Sequence, residues 1–356
     1  MKLRQQQAGL TVIELMIALM LSLLLIGGVL QIYLGTKSTY RVTEGLSRLQ
    51  ENSRFSTDML ARDIRMAGYI PCSQPQAQLS VIDSTDWWAS LFANALQGFE
   101  NGANPFPNDS TNEVMAGSDS IVILRAGSQV AAVNFYDAAN NEFIMQRDLG
   151  GSAWVESGSL MIACNAREAR LFQAGAIQAG DPTKVSIAAV SGTEIPGNTT
   201  TNLNTTFSND SQLANYHAVA YYISESTSTE GNSLYRRYLN VNNSRKNAPV
   251  RQELVEGVES MQLLYGLDVN ADGMADRYLQ ADSTSLVGNW QDVVTVRVNL
   301  LFASEDGLRD SDGVDENTYV VGNATIVPEG TPGTITHAKD KRKRYVSSMT
   351  VSLRNL

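Results

Sequence analysis

The chain opens on a short polar stretch, residues 1–9, carrying Lys2 and Arg4, and then turns apolar over residues 10–34. Read as a helix, a run of that length spans a hydrocarbon core, which takes about 20 residues. Residues 35–68 become polar, yet Val42, Leu46, Leu49, Leu60, Ile64 and Ala67 recur at three- and four-residue steps, with Ser53 and Ser56 completing the stripe. That spacing predicts an amphipathic helix running to about Met66 and closed by Gly68 and Pro71. Beyond Cys72 the pattern shortens to apolar or alternating runs at 121–124, 160–163, 185–190, 218–223, 234–239, 261–265, 293–302 and 346–353, separated by Gly, Asn, Asp and Pro. These runs predict strands. Residues 191–212, rich in Ser, Thr, Asn and Gly with sequons at Asn198 and Asn204, predict a long surface loop without a core of its own. The expected fold class is α+β: a long N-terminal α-helix, membrane span plus amphipathic spine, packed on a large strand-rich head. The boundaries fall at 1–9, 10–34, 35–68 and 69–356.

Composition narrows the function. At 356 residues and 43% apolar content the chain can bury a large core. Its formal net charge of −10 disfavours DNA as a direct partner, because an acidic surface repels phosphate. Only His217 and His337 are available as histidines, which removes the usual general base and argues against an enzyme. The cysteines are Cys72 and Cys164; with no CxxC spacing they leave one disulfide or two free thiols.

Glu14 is the anomaly of the apolar run, since a carboxylate inside a membrane span costs about 2.5–3.5 kcal/mol by insertion scales and usually has a partner. The small residue Gly9 sits before the apolar run, whereas a secretory signal peptide places its cleavage site after it. Cleavage after Gly9 would keep the helix and put a new amine on Leu10, four residues before Glu14. A neighbouring subunit shifted along a helical bundle could then bring its own amine to that carboxylate. Gly9-Leu10-Thr11-Val12-Ile13-Glu14 resembles the prepilin cleavage and methylation motif, with Leu10 where the family most often has Phe. The alternative is an ordinary signal anchor with a stray Glu. Gly27, Gly28 and Gly35 are candidate melting points of the helix or, equally, places of close helix packing.

Further along, Leu49-Gln50-Glu51-Asn52-Ser53-Arg54-Phe55 and residues 60–69, ending in Gly68-Tyr69 with Cys72 shortly after, resemble segments of the PilW family. So do residues 254–262 leading to Tyr265-Gly266, Val296-Arg297-Val298-Asn299-Leu300-Leu301, and Thr350-Val351-Ser352-Leu353-Arg354-Asn355. The resemblance implies a type IV pilin-like protein. Residues 1–9 would be a leader removed by prepilin peptidase, 10–34 a transmembrane and assembly helix, and 69–356 a periplasmic head. The expected place is the bacterial inner membrane, single-pass, and then the pilus. Expected partners are other minor pilins, the major pilin and the pilus assembly platform, in the service of motility, adhesion or DNA uptake. A filament-tip ligand-binding module and a type II secretion pseudopilin are the alternatives. In the periplasm a Cys72–Cys164 bridge is expected.

Two charged stretches carry candidate chemistry. Asp268, Asn270, Asp272 and Asp276 stand at the first, third, fifth and ninth positions of a loop, with Gly273 at the sixth and Met274 at the seventh. That resembles a calcium loop, in which hard oxygen ligands, including a backbone carbonyl at the seventh position, wrap a hard ion. It departs at the twelfth position, where Leu279 stands instead of Glu, and the alternative is a solvated acidic turn. Glu305, Asp306, Asp310, Asp312, Asp315 and Glu316 lack such spacing and read as a solvated loop. Lys339, Lys341, Arg342, Lys343 and Arg344 could meet DNA or an acidic neighbour, but read better as a solvated lead-in to an edge strand.

Overall fold

The computed structural model describes residues 11–72, 77–90, 94–106, 114–149, 154–189, 196–228, 230–241, 247–305, 307–308 and 313–355. One helix, α1 (Val12–Arg65), runs 54 residues, about 80 Å at 1.5 Å per residue. Its polar half buries Leu49, Ser53, Ser56, Leu60, Ala61 and Ile64, the stripe expected from the spacing. Leu46 of that stripe stays 40% exposed, while Gly45 packs against Leu308. Gly68 takes φ +71, a left-handed conformation glycine adopts without steric cost. The turn lets its N–H donate to Leu124 O at 3.0 Å.

The head contains strands β1 (Ala77–Ser80), β2 (Leu96–Phe99), β3 (Ser120–Asp137), β4 (Glu142–Met145), β5 (Leu160–Cys164) and β6 (Glu168–Gln178). It continues with β7 (Lys184–Ile187), β8 (Gln212–Glu225), β9 (Asn232–Val241), β10 (Asn247–Glu256), β11 (Val258–Leu267) and β12 (Arg277–Leu279). The last are β13 (Val293–Ala303), β14 (Tyr319–Val321), β15 (Ala324–Pro328), β16 (Ile335–His337) and β17 (Arg344–Ser352); a short helix α2 (Trp87–Ser90) precedes β2. Every run read as a strand from its pattern overlaps one of these, although 185–190 outruns β7 at Ile187, with residue 190 outside the described residues, and 346–353 outruns β17 by Leu353.

The largest sheet runs β10-β9-β8-β5-β6-β7-β4-β3-β2, and β3 also pairs with β8. That extra pairing closes β3, β4, β7, β6, β5 and β8 into a small barrel. Its interior is filled by Tyr136, Phe143, Phe172, Phe207 and aliphatic neighbours, as expected of a barrel too narrow to enclose a ligand. Leu203 and Phe207 come from the stretch expected to be a surface loop. That expectation fails because two isolated apolar side chains in a polar run plug the barrel core. Asn198 is fully buried there, accepting from Gln173 N at 2.8 Å and donating to Gln173 O and Ala188 O at 3.0 Å, so its amide is not on the surface.

The second sheet is β12-β11-β13-β17, and β14-β15-β16 form a third. The principal core lies between α1, the second sheet and one face of β3, β8 and β9. Ile121 and Ile123 point into it, while Val122 and Leu124 point to a second core with Trp87, Trp88 and Tyr222. A strand covered on both faces loses its polar alternation, which is why 121–124 reads as a continuous apolar run.

The head has a direction. Arg48 pairs with Glu305 at 2.9 Å, and Asn52 reaches Glu256 O at 3.3 Å. At the other end Asn355 donates to Arg65 O at 3.3 Å. The start of β11 and end of β13 therefore face the apolar half of α1, and the β11–β12 loop lies at the far end.

Candidate functional site

From Val12 to Leu34 every large apolar side chain of α1 is more than half exposed. Gly27, Gly28 and Gly35 have no side chain or strand within reach of an added Cβ. α1 is the one described helix long and apolar enough to cross a membrane. A contiguous apolar surface of this extent needs a membrane, a partner or both.

Glu14 sits at the N-terminal end of this surface. The Thr11 N–H and hydroxyl donate to its Oε2 at 3.0 and 3.1 Å, and its own N–H donates to Thr11 Oγ1 at 3.3 Å. This is a capping box, in which two backbone donors at a helix start are satisfied reciprocally. Sequence reasoning passed over it although Thr-x-x-Glu is legible in the chain. Glu14 is thus served by its own helix within one subunit. Gly9 and Leu10, the expected processing residues, lie outside the described residues.

Cys72 and Cys164 are joined, with Cα atoms 5.9 Å apart. The bridge ties the segment leaving α1 to the end of β5.

The loop from Asp268 to Asp276 closes on itself. Asp268 Oδ1 accepts from the N–H groups of Asn270, Ala271 and Asp272, and Oδ2 from Gly273 N at 2.7 Å. Although desolvation works the other way, those N–H groups hold the Asp268 carboxyl below the usual range. Gly273 takes φ +80 to permit the turn. Asn270 Nδ2 lies between Asp272 Oδ2, at 3.2 Å, and Asp276 Oδ1, at 3.4 Å. Met274 points outward, 72% exposed. Among the described residues no three His, Cys, Asp or Glu side chains gather as a metal would need.

The basic run contains one residue that departs from a solvated reading. The Arg344 side chain is fully buried and forks onto Glu259 at 2.7 and 2.8 Å, onto Asp340 at 2.8 and 3.0 Å, and onto Asp315 at 3.0 Å. Tyr319 donates to Asp315 at 2.8 Å. Asp315, from the acidic stretch expected to be solvated, is likewise buried. The cluster pins the segment carrying β14–β16 to β11. Arg342 donates to Glu230 O at 3.0 Å, whereas Lys339 and Lys341 are exposed. Asp306, Asp310 and Asp312 lie outside the described residues. As expected, β17 is an edge strand.

A strand-rich head carried on one long helix with a bare apolar half defines a class: proteins held by a single N-terminal helix with the folded domain to one side. Residues 220–355, from within β8 to the end of the described chain, match the family model of PilW, type IV pilus-assembly protein W. The matched stretch contains the whole second sheet and Arg344 with its three carboxylates. No curated protein and no solved structure matches the chain.

Proposed function

We propose that this chain is a minor pilin, cut after Gly9 by prepilin peptidase and co-assembled with other minor pilins and the major pilin to initiate type IV pili. The observation that carries the reading is the bare apolar half of α1, interrupted by Glu14, on a chain whose residues 220–355 match a pilus-assembly family. In this reading residues 10–34 sit in the inner membrane until assembly, the head is periplasmic, and the platform lifts the subunit into the filament. Glu14 then exchanges the Thr11 cap for the amine of a neighbouring subunit.

Two variants separate charge pairing from capping. Gln serves a capping box as Glu does, so Glu14→Gln keeps the cap and loses the charge. The expected outcome is that Glu14→Gln and Glu14→Ala both reduce surface pili, counted by electron microscopy. Normal piliation with Glu14→Gln alone would assign the residue to helix capping only. Intact mass from cells with and without prepilin peptidase checks processing: residues 1–9 are lost only when the peptidase is present, and an uncut chain in peptidase-competent cells would overturn the reading.

We also propose calcium for the loop of Asp268, Asn270, Asp272 and Asp276, with the Met274 carbonyl. Its support is the ligand spacing and the approach of Asn270 to two carboxylates; turning the Asn270 amide would present Oδ1 beside them.

A further inference from the structure

The edge of β11 away from β13 pairs with β12 only at Tyr265–Leu267; around Met261–Leu263 it is covered by the segment leading into β3. Asp119 N donates to Met261 O at 2.8 Å, and its Oδ2 accepts from Leu263 N at 2.8 Å. Ser118 Oγ accepts from Met261 N at 3.0 Å, and Gln262 Nε2 donates to Gly117 O at 2.7 Å. Side chains here do what a neighbouring strand would do, and they join the first sheet to the second. Asp119 is 2% exposed. Its Oδ1 accepts from Asn101 N at 3.1 Å.

Beside it stands a second carboxyl. Glu100, just past β2, accepts from Ala281 N at 2.7 Å and from Gln280 Nε2 at 3.2 Å. It stands one step beyond the Phe99–Ser120 pair of the β2–β3 ladder, opposite Asp119, and both carboxyls line one cleft. Two carboxyl groups can hydrogen-bond to each other only with a proton between them. The other ionisable groups facing the pair are Asp282 and the buried hydroxyl of Tyr265. The cleft of about 610 Å³ onto which the pair opens is lined, among the described residues, by no Lys, Arg or His. No cationic side chain therefore meets the two carboxyls in this cleft, among the described residues.

We propose that Glu100 and Asp119 form a proton-locked clasp between the two sheets, closed while one proton is shared and loosened when both carboxyls ionise. Burial, and then the charge of Glu100, push Asp119 up to about 7; Glu100 is raised too, chiefly by burial. A group whose folded value is raised contributes stability that is complete below its unfolded value, near 4, and is lost as pH rises through about 7. The clasp weakens towards neutral and alkaline pH, opposite to the usual behaviour of paired carboxylates.

The test is hydrogen exchange on the full chain in detergent, followed by mass spectrometry from pH 5 to 8 and corrected for intrinsic exchange. Protection of residues 261–263 should fall about tenfold or more across that range, a tenfold change corresponding to one pKa unit. In Glu100→Gln the amide supplies a permanent donor to Asp119, and the fall should vanish. A flat wild-type profile, or the same fall in the variant, would overturn the proposal. Should Glu100→Gln not fold, infrared titration of the wild type decides: a protonated carboxyl band must persist to pH 6 and disappear by pH 8, and its absence at pH 6 refutes the clasp.

Discussion

Arg344 meets three carboxylates with a guanidinium that no water reaches. Removing one side of a buried ionic cluster strands the other, typically at about 3–5 kcal/mol. Arg344→Ala is therefore expected to lower the denaturant midpoint of the full chain in detergent by that order, read by tryptophan fluorescence. Arg344→Lys should fall between the two, because an ammonium keeps the charge but cannot fork onto three carboxylates. An unchanged midpoint in Arg344→Ala would mean that the cluster adds nothing net. In the sequence this residue is one of five neighbouring bases. Nothing local separates it from Lys341, since Glu259 and Asp315 stand 85 and 29 positions away.

At the scale of elements, the loop from Asp268 to Asp276 is the piece whose reading most needs a measurement. Calorimetric titration with calcium chloride should show saturable binding and a higher Tm, since a ligand that binds only the folded state stabilises it. Asp272→Ala should abolish both; no heat and no Tm change up to millimolar calcium would leave a hydrogen-bonded turn. The helix and strands were legible wherever a face pattern persisted, as at Leu49, Leu60 and Ile64 or over 293–302. β6 was missed because Glu168, Arg170 and Gln173 interrupt its apolar residues, and β3 was read short because Arg125 and Gly127-Ser128-Gln129 break its run. The Glu100–Asp119 seam was invisible for another reason: each carboxyl looks like a surface acid until β11 is brought against it.

Over the whole molecule, the barrel is continuous with the head. β3 and β8 each pass from the main sheet into the ring, and the register between them shifts between Ala126 and Val130, where one ladder hands over to the other. The barrel therefore shares its two longest strands with the surface that α1 supports. The Cys72–Cys164 bridge adds a mechanical consequence. A load drawn along α1 enters the head through the helix and the short segment after it. It then meets the bridge. The chain between the two cysteines, a separation of 92 residues, is bypassed by the covalent shortcut and cannot pay out, withholding roughly 300 Å of extended length. Single-molecule pulling from the two ends should show full extension shorter by that amount without reductant than with it. Equal lengths would show that the bridge does not bear tension. With the bridge intact, β3, β4 and β5 lie inside the bypassed loop while β6, β7 and β8 follow Cys164 and can still be drawn out, so the head has a built-in limit on how far it can stretch.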